Sequence, residues 1–269
     1  MHPRVNLHQV AFGTESTTAF IDHCRAIDIA NMTLATPHLM QPSGVEEAVL
    51  ALAAGGPRVI VINHPFGFYP NLDEDGGQAS EKLLQAIMIA DRLGARLIYL
   101  VSGGRGRLSW EAASERFAAL IAPCLPLAAA KDIMLTVETA SPFTVDIHMA
   151  HTLDDTIRLA EIARIGVCID LHACWFEGGL YEKFARAMPI TGLVQVSDYI
   201  AGDRTTPCRA VIGDGIVPVE RLLGAILEAG YQGVFDLELL GPRIVAEGSR
   251  EATTRAAENL SEILVKLGA

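Results

Sequence analysis

Short β-branched runs recur along this chain at intervals of one helix, and that alternation restricts the fold more than any other property of the sequence. Eight runs stand out, at 4–10 (RVNLHQV), 27–34 (IDIANMTL), 57–63 (PRVIVIN), 96–101 (RLIYLV), 132–138 (DIMLTVE), 166–170 (GVCID), 192–197 (GLVQVS) and 233–239 (GVFDLEL). Most are followed by a stretch with helical spacing, as in 77–93, 110–130, 152–163 and 217–229, and a last helix is expected over about 249–267. Nearly continuous apolar runs suit strands buried on both faces, and strands alternating with helices suit a parallel sheet. Eight β/α pairs in 269 residues match one closed α/β barrel, (β/α)8, with residues 1–269 as a single domain. The rival is a doubly wound open sheet, which wants a glycine-rich phosphate turn after its first strand. The segment after Val10, AFGTEST, has no such turn, so the barrel is preferred. Gly94, Gly166 and Gly230 are expected helix stops.

Charge and cysteine usage narrow the partners. The formal net charge is −11, from 32 acidic and 21 basic residues, and such a surface repels phosphate backbones. A small-molecule substrate is expected, with no nucleic acid and no membrane; a homo-oligomer stays open. The first residues show no charged stretch leading into an apolar one, so no signal peptide is expected. Nor is there a run of about 18 uninterrupted apolar residues of the kind that spans a bilayer. The five cysteines are scattered and form no Cys-x-x-Cys pair, which suits a reduced, cytoplasmic protein.

In a barrel of this kind the chemistry sits where the strands end. Glu138 ends LTVE, Asp170 ends VCID, Gln195 lies inside GLVQVS, and Glu238 comes near the end of FDLEL. Side chains alternate along a strand, so Thr136 shares a face with Glu138, and Asp236 with Glu238. Carboxylates converging at the barrel mouth repel one another and are costly to desolvate, and a divalent cation offsets both effects. Oxygen ligands suit Mn²⁺ or Mg²⁺. The plainer alternative is that each strand-end carboxylate caps the next helix or pairs with an arginine. Gln195 poses its own question, because a buried amide left without a partner costs about 1–3 kcal/mol.

The segments LTVETA, GVCIDLHA, GLVQVSD and CRAVIGDGIVPVERLLGAILEAGYQGVFDLELLG resemble the xylose isomerase-like TIM-barrel superfamily, the sugar phosphate isomerase/epimerase and AP-endonuclease family 2 group. The resemblance is strongest in the second half of the chain. It implies one divalent metal held by Glu138, Asp170, Gln195 and Glu238, with Gln195 standing where that family commonly has histidine. It implies proton transfer next to a carbonyl, with Glu138 and Glu238 as catalytic base and acid. His172 stands two residues after Asp170 where the family's histidine usually stands three after. It is a candidate substrate contact, or a packed ring that orients Asp170. Arg209 is a candidate for holding a substrate oxygen, or a salt-bridge partner of Asp198 or Asp203. His64, at the end of the third run, is a further candidate substrate contact beside a purely structural role.

Other features carry less. His148 and His151 have a spacing that can bind metal, but their flanks look like an exposed helix entry. The loop SGGRGR, Ser102 to Arg107, could meet an anionic substrate or simply be exposed. Cys168 reads as a packed thiol, and Trp175 with Phe176 as a pocket wall or a loop cluster. The lysines, Lys82, Lys131, Lys183 and Lys266, end no strand, which argues against a Schiff-base aldolase. The resulting expectation is a metal-dependent isomerase or epimerase acting on a sugar-like hydroxy-carbonyl compound. A lyase or dehydratase using the same proton abstraction is the alternative. A nuclease of the AP-endonuclease type and a non-catalytic binding barrel rank below both.

Overall fold

The computed structural model describes residues 1–68 and 71–269. Eight strands, β1 (Val5–His8), β2 (Asn31–Ala35), β3 (Arg58–Pro65), β4 (Leu97–Val101), β5 (Met134–Glu138), β6 (Gly166–Asp170), β7 (Thr191–Val196) and β10 (Phe235–Leu237), form a closed barrel. Their order around it is β1-β10-β7-β6-β5-β4-β3-β2. Between β7 and β10 the chain adds an antiparallel hairpin, β8 (Asp198–Tyr199) and β9 (Arg209–Ala210), which the periodicity did not announce.

Contacts are densest within two compact units. In the first, residues 1–60 with 194–269, β1 lies between β2 and β10, and Asn6 is in register with both Asn31 and Asp236. The helices Val219–Glu228 and Ser249–Leu267 bury Leu222, Leu223, Ile226, Leu260 and Leu264 there. In the second, residues 61–193, β3 to β6 pair in sequence, with Glu138 in register with Cys168. The helices Gln78–Leu93, Trp110–Ile121 and Leu153–Ala163 bury Leu83, Ile87, Phe117 and Ile157. Each large apolar side chain fully removed from water stabilises the fold by about 1.5–3 kcal/mol before entropy is counted.

Three departures from the sequence expectations have local causes. The first strand stops at His8, because the His8 side chain caps a 3-10 turn over Gln9–Phe12. The stretch Trp110–Ala130 has the length and hydropathy of a membrane span. Here it is broken at Ala122–Cys124, where Pro123 withholds a backbone donor, and it buries Phe117, Leu120, Ile121 and Ala128. Gly166 is not a helix stop: Arg164 takes the left-handed turn (φ 58°) and Gly166 opens β6. A Cβ on Gly166 would lie 2.3 Å from the Met134 Cε and 2.5 Å from the Ile190 carbonyl oxygen, so close packing demands glycine there. Gly94 does end its helix in the left-handed conformation, φ 78°.

Candidate metal centre

Glu138 is the last residue of β5, Asp170 the last of β6, and Glu238 follows β10 by one residue. All three are buried, at 4%, 1% and 7% exposure. Each offers an oxygen, and these oxygens lie within 4.8 Å of one another. Two carboxylates at that separation repel by about 3–4 kcal/mol at an effective dielectric near 20. Burial also withholds the water that would screen them. The group therefore requires positive charge. The donor set fits a divalent cation: with ligand bonds of about 2.0–2.6 Å, opposed oxygens stand about 4–5 Å apart.

Local structure aims each side chain. The Glu238 N–H donates to the Asp236 carbonyl (3.0 Å), a tight turn that ends β10. Arg209 Nη2 contacts Glu238 Oε2, and Arg209 Nη1 donates to Ser197 Oγ (3.1 Å). His8 Nε2 lies 3.9 Å from Glu238 Oε1. Burial, with the Arg209 charge adding to it, pushes the His8 imidazole down to about 3. The position of Arg209 is inherited from the hairpin. Asp198 anchors that hairpin by accepting four backbone N–H groups: Oδ1 takes those of Tyr199 (2.8 Å) and Val217 (3.0 Å), Oδ2 those of Gly213 and Gly215 (both 2.9 Å). A Cβ on Gly215 would sit 2.3 Å from Asp198 Oδ1, which accounts for the second glycine of Gly213-Asp214-Gly215. Of the alternatives the sequence left open for Arg209, the salt bridge with Asp198 or Asp203 gives way to an ion pair with Glu238. Backbone donors occupy Asp198, Asp203 pairs with Arg243 (2.8 Å), and Arg209 goes to Glu238.

Beneath Glu238, Asp236 is wholly buried. Its Oδ1 accepts from Asn6 Nδ2 (2.6 Å) and Thr33 Oγ1 (3.0 Å). Burial, followed by the charge of Glu238, raises its carboxyl to about 8. Gln195 is in register with Asp236 and has no exposure, so the amide that looked out of place in an apolar strand belongs to a polar interior layer.

Glu138 has its own histidine. His148 Nε2 lies 3.9 Å from Glu138 Oε2, and His148 is buried at 7% exposure. This corrects the expected solvated helix entry. The helix starts only at Leu153, and the Met149 N–H donates to buried Ser102 Oγ (3.0 Å), turning the segment inward. His151 is half-buried, with Nδ1 3.1 Å from the Ser141 carbonyl oxygen. Asp170 Oδ1 accepts the His172 N–H (3.0 Å) and caps the short helix Leu171–Cys174, so helix capping and membership of the carboxylate group coexist in one residue. His172 is half-buried. His64 lies within β3 at 1% exposure, and burial followed by the Lys82 charge pushes it down to about 3. Cys168 is packed, and the Trp175 and Phe176 rings meet edge to face at 6.0 Å with Phe176 exposed. In the SGGRGR loop Arg107 is exposed, while Gly103 packs where a Cβ would lie 2.2 Å from the Gly67 carbonyl oxygen.

His8 and Ser197 were not anticipated as neighbours of the site. The signal for His8 was available: Asn6 and His8 are polar residues two apart in an otherwise apolar strand, the same alternation that linked Asp236 to Glu238.

Comparison with known proteins agrees with this architecture. The family model of the xylose isomerase-like TIM barrel matches residues 24–263. The chain therefore belongs to the xylose isomerase-like TIM-barrel family. No curated protein sequence matches it. Among solved structures it is similar to the IolI protein with a bound zinc atom, at TM-score 0.82 and 15% identity over 98% of this chain and 99% of that one. It is also similar to D-psicose 3-epimerase from Clostridium cellulolyticum H10 with D-tagatose (TM-score 0.77, 14% identity, 96% and 98% covered). A third is the probable 3-DHS dehydratase AsbF from Bacillus anthracis (TM-score 0.74, 16% identity, 96% and 98% covered). At these identities the likeness is one of fold.

Proposed function

We propose that the protein is a divalent-metal-dependent isomerase or epimerase that abstracts a proton next to the carbonyl of a sugar-like substrate. The observation that carries this reading is the trio of buried carboxylates whose oxygens lie within 4.8 Å. Glu138, Asp170 and Glu238 would hold the ion, with the Gln195 carbonyl oxygen as fourth ligand, and an all-oxygen set favours Mn²⁺ or Mg²⁺. Such an ion, when bound, stabilises negative charge developing on substrate oxygens. Glu138 and Glu238 then serve as base and acid on the carbon between them. Arg209, His172 and His64 are the candidate substrate contacts; Arg209 also matches the charge of Glu238. The net charge of −11 weighs against a nucleic-acid substrate. Five free thiols suit a reducing cytoplasm.

A dehydratase is the second reading, favoured by the likeness to the probable dehydratase. Soaking crystals in Mn²⁺ and reading the anomalous signal tests the site. One peak among Glu138, Asp170, Gln195 and Glu238 is expected, and a peak elsewhere or none overturns the assignment. A screen of keto-sugars and keto-polyols by product mass then separates the chemistries, because isomerisation conserves mass and dehydration removes one water.

A further inference from the structure

A cavity of about 410 Å³ lies in the second compact unit, where β5 and β6 begin rather than where they end. Met134, which lines it, opens the strand that Glu138 closes. At about 3.3 Å per residue, those two ends of β5 stand about 13 Å apart. Pockets that take small molecules typically measure about 300–1,000 Å³ and are mostly apolar with a few polar groups. Leu125, Ile133, Met134, Pro189 and Ile190 supply apolar walls here, and Met134 keeps 40% of its surface in water. Arg164 is the only charged residue among those that line the cavity.

Two observations set Arg164 apart. It is exposed, and it makes no ion pair with any described residue, whereas Lys131 and Arg186 pair with Asp91 and Asp154. It also closes the helix Leu153–Ala163 in the left-handed conformation, φ 58°, with its N–H on the Glu161 carbonyl. Glycine or asparagine suits that position better, so the helix end does not itself call for arginine.

We propose that this cavity binds a small amphipathic carboxylate, with its aliphatic chain against the apolar walls and its carboxylate on Arg164. The chain gains by leaving water, and a guanidinium meets a carboxylate with paired N–H donors. The acidic surplus, 32 residues against 21 basic ones, disfavours an anion over most of the surface. An unmatched cation beside apolar walls therefore selects where such a molecule docks. None of the carboxylates proposed to hold a metal takes part, so this site stands or falls apart from the isomerase reading.

Octanoate is the test probe, titrated into the full-length protein carrying [¹³C]methyl-labelled methionine, with Met134→Leu identifying the signal. The Met134 methyl resonance is expected to shift and saturate. Hexanoate, shorter by two methylenes, should bind roughly 10-fold more weakly, and uncharged octanol should lose a similar factor with the charged contact. Arg164→Asn suits the left-handed turn and should keep or raise the thermal unfolding midpoint. It should nevertheless weaken octanoate roughly 10-fold while leaving octanol unchanged, and Arg164→Lys should recover part of the loss. A Met134 signal that octanoate does not move overturns the proposal. So does equal affinity for octanol and octanoate, or undiminished octanoate binding in a folded Arg164→Asn. Excess Mg²⁺ should leave the titration unchanged; competition would put the probe at the other end of the strands and also overturn it. A Met134 signal that instead follows protein concentration, with a dimer in sedimentation, would give the cavity to a second copy of the chain and refute the small-molecule site.

Discussion

Glu138 and Glu238 end their strands in comparable places, yet their surroundings differ in kind. Each has a histidine nitrogen at 3.9 Å. Beside Glu238, however, stands Arg209, a cation at every working pH, and the histidine there is held neutral by burial. Beside Glu138 stands His148, from a loop that folds inward on Ser102. A histidine can change charge near neutrality and an arginine cannot. Equal positions in a barrel thus acquire unequal electrostatics from the loops that follow the strands. On the proposed chemistry, Glu238 works beside a fixed cation and Glu138 beside a histidine.

The sharpest way to break this contrast is at Arg209. Arg209→Ala takes the fixed cation from a carboxylate buried at 7% exposure, and loss of one partner of a buried pair should cost about 3–5 kcal/mol in urea unfolding. Adding Glu238→Gln should restore part of it; an unchanged midpoint would show that the pair does not carry the charge balance. The two carboxylates themselves come next. Glu138→Gln and Glu238→Gln should each weaken Mn²⁺ by about 100-fold or more. A large effect from one alone would assign the ion to that side.

The buried histidines give a smaller, pH-dependent effect. His8 and His64 are lowered from 6.5 to about 3. The unfolded chain therefore binds more protons than the folded one across that window, and stability falls as pH drops from 6.5 towards 3. Each ring contributes at most roughly 1.4 kcal/mol per pH unit. His8→Gln and His64→Gln should each flatten the acid limb of stability measured by denaturant titration. The smallest effect is expected at Asp236, raised to about 8 and so mainly protonated at neutral pH. Asp236→Asn keeps the acceptor for Asn6 and Thr33 and should change stability by less than about 1 kcal/mol. A much larger loss would mean that the carboxylate is ionised.

The barrel was legible in the sequence because period and apolar content report burial, and eight β/α units leave few topologies. Glu138, Asp170 and Glu238 were legible because strand ends carry the chemistry of this architecture. The fates of His148 and Arg209 were not. Flanking polarity suggested a solvated His148, whereas bonds from Met149 to Ser102 and from Gly103 to Ile147, made with a loop distant in sequence, draw it in. Arg209 had two acidic neighbours in sequence, but backbone amides had already claimed Asp198. His8 was overlooked because a lone histidine in a strand is usually silent, and only the Val10 N–H reveals its tautomer. Such outcomes depend on hydrogen bonds between loops, which periodicity does not encode.

The four amides gathered on Asp198 carry a practical consequence for redesign. Moving the hairpin away from the Gly213–Val217 segment would break three of them together, so main-chain donors tie down the hairpin that carries Arg209, while Ser197 and Glu238 hold its guanidinium. Engineers could replace neighbouring wall residues to admit a different substrate while that guanidinium keeps its station, whereas altering Asp198 itself would unmoor it.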